Sequence, residues 1–268
     1  MLTSSVAATV WPQLHDSIKV HGDLDVNDLW DRFEVFEALH HTMSICNPLS
    51  REQLDDAIDV LELTDGCSVI DAACGYGELL LRSAEAAEIS GIGIDLSPWM
   101  ISTAATRAEE RARDADLRWV LGEAQRFDLA AKANVAVCVG AEWVWHDING
   151  TIRALREMVA PNGMLVVGAA RRHFAATNEQ VSARGRIESV EEIEAMFTNH
   201  SVRVRHRIDP DDAAWDEYLN ETKLAAEVWA NQHPGPRADK WQREQRDWQD
   251  ARDRDREIIG WSLWIASC

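Results

Sequence analysis

The sequence predicts an α/β fold, in which a seven-stranded, mostly parallel, doubly wound sheet carries helices on both faces. Short apolar runs alternate with amphipathic stretches of helical spacing from residue 68 to residue 169. Continuous apolar strands separated by helices are typical of a parallel sheet that is covered on both sides. The chain has 268 residues, of which 46% are hydrophobic. It is therefore long enough to bury one large core.

The predicted elements follow one another along the chain. The central strands are expected at Ser68–Ala72, Gly91–Asp95, Leu117–Leu121, Val135–Gly140 and Met164–Ala169. The helices between them are expected at 77–88, 97–113 and 148–160. An alternating pattern at 202–208 and a continuous apolar run at 258–266 predict two further strands. Together these runs account for the seven strands.

Helical segments flank the central strands on both sides. Residues 24–45 carry one apolar stripe, Asn47-Pro48 ends that helix, and Ser50 is expected to cap a second helix. Residues 211–257 also have a helical pattern, which is broken at 233–236. We expect one globular unit with an N-terminal helical cap at 1–63, an α/β core at 64–208, a helical lid insertion at 209–257 and a final strand at 258–268.

The charge of the chain limits its partners. Basic residues number 27 and acidic residues 46, for a net charge of −19. Proteins that bind nucleic acids through the phosphates need clustered lysine and arginine, and this chain intersperses its arginines with acids. A nucleic-acid partner is therefore disfavoured. An acidic surface keeps a protein soluble, and it would also attract a cationic substrate.

The apolar runs and the cysteines predict a cytoplasmic protein. No apolar run approaches the roughly 20 residues that cross a bilayer, and Met1 to Val10 lack the basic segment of a secretion signal. The five cysteines form no CxxC or CxxH pattern. Free thiols in a reducing compartment explain them, and no metal site is expected. The sequence does not indicate an oligomeric state.

A turn with two glycines follows the first central strand, in the segment Asp71-Ala72-Ala73-Cys74-Gly75-Tyr76-Gly77. Gly75 and Gly77 permit a close backbone approach to a ligand and left-handed backbone angles. The helix that begins after the turn offers free amide donors. A nicotinamide-dependent oxidoreductase would use a similar turn, but with G-x-G-x-x-G spacing. Here position 80 is Leu80, which favours a different cofactor.

Two later turns each place a carboxylate at the same edge of the sheet. Asp95 ends the second central strand, about 20 residues after the first turn, where it can accept hydrogen bonds from ribose hydroxyls. Met100 follows it and could lie flat against an adenine ring. The third strand ends in Gly122-Glu123-Ala124, where Glu123 could accept a hydrogen bond from an exocyclic amine. These side chains predict a nucleoside site.

Taken together, these segments resemble the motifs of class I (Rossmann-like) S-adenosylmethionine-dependent methyltransferases. Leu155–Val167 is similar to the segment that precedes the fifth strand of that family, and the resemblance covers residues 68–168. It extends to a largely uncharacterised subgroup of bacterial small-molecule methyltransferases. The shared features of that subgroup are Asn47-Pro48, Cys138–Trp143 and Gly260-Trp261.

The resemblance implies a methyltransferase (EC 2.1.1 class) whose core at 64–208 binds S-adenosyl-L-methionine. The cofactor-binding residues that it implies are Asp71, Ala73, Cys74, Gly75, Gly77, Asp95, Leu96, Met100, Glu123, Ala124, Gly140 and Ala141. Ala73 stands where the family has its first glycine, and Glu123 replaces the commoner aspartate. Alanine allows the close approach if its φ is negative, and glutamate keeps the hydrogen-bond acceptor.

The loop after the fourth central strand supplies the candidate catalytic residues, because ligands lie outside the carboxyl ends of the strands. Trp143 could form a wall of the acceptor pocket, and Glu142 or His146 could accept a proton. In the alternative interpretation, the tryptophans of the loop are packing residues and His146 caps the following helix together with Asp147. Both interpretations are open at this stage.

The predicted reaction is in-line transfer of a methyl group to a nitrogen or oxygen atom of a small molecule, by positioning and general base catalysis. Two alternatives are a methyltransferase acting on a protein or nucleic acid, and a non-catalytic cofactor-binding protein. Enzymes that methylate adenine or glutamine amides carry Asn/Asp-Pro-Pro-aromatic after the fourth strand, whereas this chain has Gly140–Trp143 there. His40 is expected to be solvated or in the core, and Tyr218 to pack inside the lid.

Overall fold

A computed structural model describes residues 13–173, 187–255 and 257–268, and these ranges form eight strands and eight α-helices. The strands are β1 (Lys19–Val20), β2 (Ser68–Ala72), β3 (Ser90–Asp95), β4 (Asp116–Leu121), β5 (Ala133–Val139), β6 (Val159–Arg172), β7 (Arg203–Ile208) and β8 (Ile259–Ser267). The helices are α1 (Val26–His40), α2 (Arg51–Val60), α3 (Glu78–Ala86), α4 (Pro98–Arg111), α5 (Ile148–Met158), α6 (Val190–Asn199), α7 (Asp212–Gln232) and α8 (Pro236–Asp255).

All eight strands belong to one sheet, in the order β1-β4-β3-β2-β5-β6-β8-β7. The pairs from β1 to β6 are parallel, and β8 runs antiparallel to both β6 and β7. The predicted fold class, a mostly parallel, doubly wound α/β sheet, is confirmed. The chain winds outward from β2 to β4 and then returns to β5 on the other side of β2. A crevice opens at such a switch point, outside the carboxyl ends of the strands.

The sheet has eight strands and not the seven that the sequence predicts. The additional strand is β1, which consists of Lys19 and Val20 and pairs with Val120 and Leu121 of β4 at one edge of the sheet. Two residues are too few to show a periodic pattern, and both are exposed. The sequence therefore contains no signal for this strand.

The two faces of the sheet carry separate halves of the core. Val69 and Ile70 are adjacent in β2 and nearly inaccessible, and they belong to different apolar clusters. The cluster of Val69 includes Leu54 of α2, Leu80 of α3 and residues of α4. The cluster of Ile70 includes Ile152 of α5 and residues of α6. Successive side chains of a strand point to opposite faces, so this division confirms that helices cover both sides.

Six of the described helices begin after a residue whose side chain accepts a hydrogen bond from one of the first free amides. Ser50 accepts a hydrogen bond from the Gln53 amide, and the Gln53 side chain accepts one from the Ser50 amide in return. Asp147 caps α5 by accepting a hydrogen bond from the Gly150 amide at 2.7 Å. Such caps typically contribute about 1 kcal/mol each. They fix the positions of the loops that precede the helices.

The α7–α8 hairpin is inserted between β7 and β8 and packs on α1. Trp229 of α7 lies against Trp99 of α4, with ring centroids 5.7 Å apart, and clusters with Ala38 of α1 and Trp241 of α8. Aromatic contacts of this kind add stabilisation beyond the buried area. The packing holds α1 and the hairpin together near the carboxyl ends of the strands. None of the described helices combines the length and apolarity needed to cross a membrane.

Candidate active site

One cavity lies at the carboxyl edge of the sheet, at the switch point between β2 and β5. Its floor is formed by residues that follow β2, β3, β4 and β5. Its cover is formed by α1, by residues 44–47 and by the α7–α8 hairpin. The predicted cofactor residues that line it are Asp71, Ala73, Cys74, Gly75, Asp95, Leu96, Met100, Ala124, Gly140 and Ala141.

Asp95 ties two turns of the floor together. Its Oδ2 accepts a hydrogen bond from the Gly75 amide and its Oδ1 accepts one from the Ser97 amide, both at 2.8 Å. Burial raises the pKa of this carboxyl, while the backbone amides of Ser97, Gly75 and Leu96 act in the opposite direction. Each carboxylate oxygen can accept two hydrogen bonds. Three amides occupy at most three of these four sites, so the carboxylate keeps acceptor capacity for a ligand in the cavity.

Asp71 is buried at the end of β2, with 4% of its surface exposed. Burial, together with the nearby Asp95 carboxylate, raises its pKa from 3.8 to about 8. Among the described residues, no group donates a hydrogen bond to the Asp71 carboxyl. A buried carboxylate without a partner is costly. This side chain is suited to a cationic ligand group.

The turn after β2 holds three residues in left-handed backbone conformations. The φ angles are +65° at Ala73, +54° at Gly75 and +74° at Gly77. The condition under which alanine was expected to replace glycine, a negative φ, is not met at Ala73. Gly77 does not line the cavity, and a Cβ atom there would lie 2.5 Å from the Trp119 ring. Glycine at position 77 allows the left-handed backbone at the start of α3 and the close packing of the Trp119 ring.

The turns after β3 and β4 form a largely apolar side of the cavity. Met100 is 8% exposed and lies near Gly75, whose hypothetical Cβ would be 3.8 Å from the Met100 sulfur. Ala124 and Leu96 line the same side. Glu123 does not line the cavity, because its Oε2 pairs with Arg126 at 2.7 Å. The structure therefore places the predicted amine-binding carboxylate outside the cavity.

The loop after β5 brings only one of the three candidate catalytic residues to the cavity. Trp143 lines it and is 58% exposed. Glu142 faces the backbone of Ala170 in β6, and burial raises the pKa of its carboxyl. His146 is exposed and occupies a left-handed position with φ +77° at the end of a short 3₁₀ helix. Neither Glu142 nor His146 is among the residues that line the cavity.

The cover of the cavity contains two polar side chains, His40 and Tyr218, for which structural roles are predicted above. His40 of α1 is 2% exposed and lines the cavity, so it is not solvated. Its Nε2 lies 2.9 Å from the Tyr218 hydroxyl of α7. Tyr218 also lines the cavity. The two residues are 178 positions apart in the sequence, and no local motif connects them.

Aromatic side chains and carboxylates dominate the remaining lining. Phe36 and Trp248 lie on the same side as Tyr218. The described residues that line the cavity include no lysine or arginine, but they do include Asp71, Asp95 and Glu78. Arg82 and Arg111 neutralise Glu78 from outside. In the described ranges, no three side chains of histidine, cysteine, aspartate or glutamate are placed to hold a metal ion.

Comparisons with known proteins agree with this arrangement. Residues 69–163 match a family model described as a methyltransferase domain. The chain is 27% identical over 209 residues to the uncharacterized protein YjhP of Escherichia coli (strain K12), a match that covers 75% of this chain and 83% of YjhP.

Two solved structures are similar over most of the chain. An S-adenosylmethionine-dependent methyltransferase from Geobacter sulfurreducens, in complex with S-adenosyl-L-homocysteine, has a TM-score of 0.80 and 26% identity. A second one, from Thiobacillus denitrificans with the same ligand, has a TM-score of 0.78 and 26% identity. Each match covers 87% of this chain and 97% of the other. Residues 69–163 thus form a methyltransferase domain, and the motifs, the fold and these likenesses support an S-adenosylmethionine-dependent methyltransferase.

Proposed function

We propose that this enzyme transfers the methyl group of S-adenosylmethionine to a nitrogen or oxygen atom of a small molecule by in-line displacement. The observation that carries the proposal is a single cavity with two chemically different sides. One side consists of turns and carboxylates at the ends of the strands, and the other consists of aromatic side chains from α1 and the α7–α8 hairpin. The first side suits a nucleoside cofactor, and the second suits an acceptor.

The residues at the strand ends fit the cofactor. S-adenosylmethionine carries an ammonium and a sulfonium, and the unpartnered Asp71 carboxyl would become a counter-charge by releasing its proton when such a group binds. The remaining acceptor capacity of Asp95 would take a hydrogen bond from a ribose hydroxyl. Gly75 and Gly140 have φ angles of +54° and +72°, and a Cβ atom at Gly140 would meet nothing within 4 Å. The backbone at both positions is open to the cavity.

The apolar side next to Asp95 would hold the adenine. Met100, Leu96 and Ala124 provide a surface on which a planar base can pack. We leave Glu123 out of the proposed contacts, because Arg126 occupies its carboxylate. We also leave out Gly77, because the Trp119 ring fills the space where a side chain at this position would lie. Cys74 and Ala141 line the cavity and would contact the cofactor through backbone and small side chains.

When bound, S-adenosylmethionine supplies a methyl group that its sulfonium activates. The chain contributes by orientation, since holding an acceptor in line can lower a barrier by several kcal/mol. Phe36, Trp143 and Trp248 would hold the acceptor from different elements, and α1 with the α7–α8 hairpin would exclude water. Because no described cationic side chain lines the cavity, we propose a neutral or cationic acceptor.

The same features disfavour a macromolecular substrate. Helix α1 and the α7–α8 hairpin cover the cavity, and binding to phosphate backbones would require clustered basic side chains. A non-catalytic cofactor-binding protein is the other alternative. The cytoplasmic location expected from the five cysteines stays a prediction, as does the division into cap, core, lid and final strand.

Two measurements test the proposal. Calorimetry should show that S-adenosylhomocysteine binds and that NAD does not. Release of S-adenosylhomocysteine should then follow when S-adenosylmethionine is mixed with pools of small phenols, alcohols and amines, and not with total tRNA or with a protein extract. Turnover with tRNA or protein alone would contradict the small acceptor. Binding without turnover in any pool would favour the non-catalytic alternative.

A further inference from the structure

The hydrogen bond between His40 and Tyr218 lies in the wall of the acceptor side. His40 Nδ1 is 2.9 Å from the backbone carbonyl of Phe36, and His40 Nε2 is 2.9 Å from Tyr218 Oη. Both contacts are within normal hydrogen-bond distance. Both side chains line the cavity, one from α1 and one from α7.

The partners of His40 determine which ring nitrogen carries its proton. A carbonyl oxygen can only accept a hydrogen bond, so Nδ1 must be the protonated nitrogen. Burial lowers the pKa of His40 to about 4, and the ring is therefore neutral at physiological pH. A neutral ring that is protonated at Nδ1 leaves Nε2 as an acceptor. The hydroxyl of Tyr218 must then donate to Nε2.

This orientation leaves Tyr218 with acceptor capacity only. A phenolic hydroxyl has one proton to donate, and His40 takes it. Among the described residues, no other group makes a hydrogen bond to Tyr218 Oη. Burial raises the pKa of Tyr218, so the group stays a hydroxyl and not a phenolate. Its oxygen lone pairs have no protein donor in the described ranges, and the partly buried side chain borders the cavity, where a ligand could supply one.

We infer that Tyr218 Oη accepts a hydrogen bond from the methyl acceptor, which must therefore carry an O–H or N–H group. This inference rests on the proposed function, because it concerns the molecule that occupies the aromatic side of the cavity. It selects alcohols, phenols and amines that bear a hydrogen. It excludes thioethers, ethers and neutral tertiary amines, which would leave the Tyr218 oxygen unpaired. His40 is a positioning residue that acts through Tyr218.

The tautomer of His40 is the first test and needs no substrate. Long-range nitrogen–proton NMR spectra of histidine-labelled protein distinguish the two neutral tautomers, and His40→Gln assigns the signal. We expect a neutral ring that is protonated at Nδ1. A ring protonated at Nε2 would have to donate to Tyr218, whose hydroxyl would then be free to donate to a ligand, and the inference would fail.

Binding of a matched pair of probes is the second test. Phenol and anisole are similar in size, but only phenol can donate a hydrogen bond. In protein loaded with S-adenosylhomocysteine, NMR titration should show phenol binding roughly three- to ten-fold more tightly than anisole, the range of one net hydrogen bond. The ratio should fall to about one in Tyr218→Phe, which keeps the ring. His41→Gln is the matched control, because His41 is adjacent to His40 and does not line the cavity.

The outcomes separate the inference from the proposed function. Equal binding of the two probes to the parent protein, or an unchanged ratio in Tyr218→Phe, would overturn the role of Tyr218 while leaving a small-molecule methyltransferase in place. Binding of neither probe would count against an aromatic acceptor side. Failure of S-adenosylhomocysteine to bind at all would contradict the proposed function, whatever tautomer His40 adopts.

Discussion

Replacing Asp71 by asparagine removes a buried carboxyl whose proton is held only in the folded state. Its pKa is 3.8 in an ordinary environment and about 8 in the fold. Between these values the folded protein keeps the proton that the unfolded chain releases, so stability falls as the pH rises through this window. Asparagine has nearly the same shape and does not titrate. We therefore expect Asp71→Asn to be more stable than the parent protein, increasingly so towards high pH.

The size of the effect follows from the pKa difference. Each pKa unit corresponds to about 1.4 kcal/mol, and about 2.7 units of the window lie between pH 5 and pH 8. The advantage of the variant in free energy of unfolding should therefore grow by roughly 3 to 4 kcal/mol across this range. For a chain of this size that corresponds to a difference in Tm of about 10 °C.

Thermal unfolding of the cofactor-free proteins at about pH 5 and about pH 8 measures how the stability advantage of Asp71→Asn over the parent protein increases with pH. Asp56→Asn is a suitable control, because it makes the same chemical change at an exposed position on α2. The same Asp71→Asn variant should bind S-adenosylhomocysteine about ten-fold or more weakly, since a charge-assisted hydrogen bond is lost. An advantage of Asp71→Asn that is the same at both pH values would show that Asp71 is already ionised in the fold, and the reasoning would be refuted.

Four further predictions concern the cavity and the loop after β5. Asp95→Asn should weaken S-adenosylhomocysteine binding roughly ten- to a hundred-fold in calorimetry, and unchanged affinity in a folded variant would remove Asp95 from the site. Ala73→Gly should retain cofactor binding and raise the free energy of unfolding by up to about 1 kcal/mol, because alanine is strained at φ +65°. Chemical denaturation measures this free energy, and a lower value in the variant would contradict the prediction. Trp143→Ala should reduce turnover at least ten-fold once an acceptor is known and leave S-adenosylhomocysteine affinity within a few-fold. His146→Asn should retain turnover. A ten-fold loss of turnover in this variant would show that His146 takes part in the reaction.

Local sequence signals were sufficient for seven of the eight described strands and for most of the predicted residues that line the strand-end side of the cavity. Each central strand is a continuous apolar run, and Asp71 and Asp95 lie at the ends of two of them, where parallel strands share one edge. The position of such a carboxylate at the end of its strand depends only on a few neighbouring residues in the sequence. The position of Glu123 could not be predicted in this way, because the turn that brings Arg126 to its carboxylate is visible only in the structure.

The acceptor side could not be predicted in the same way. His40 and Tyr218 belong to amphipathic helices in which a polar residue at a buried position has many explanations, and their contact depends on how α7 packs on α1. The position of His146 depends on the short 3₁₀ helix after β5, which ends at this residue, and His146 does not line the cavity. The left-handed conformation of Ala73 likewise has no signature in the residue type, since alanine disfavours it.

The α7–α8 hairpin leaves the sheet after Ile208 and returns to it at Ile259, and Ile208 pairs with Leu263 on the neighbouring strand. Its two attachment points are thus held together by the sheet, so a hairpin of another length or sequence could replace it at little cost in chain entropy. A change of hairpin during evolution could therefore alter substrate specificity while the cofactor-binding sheet stays the same. The hydrogen bond between Tyr218 and His40 limits this exchange, because a new hairpin needs a residue on α1 that is compatible with it. We therefore expect positions 40 and 218 to change together among relatives.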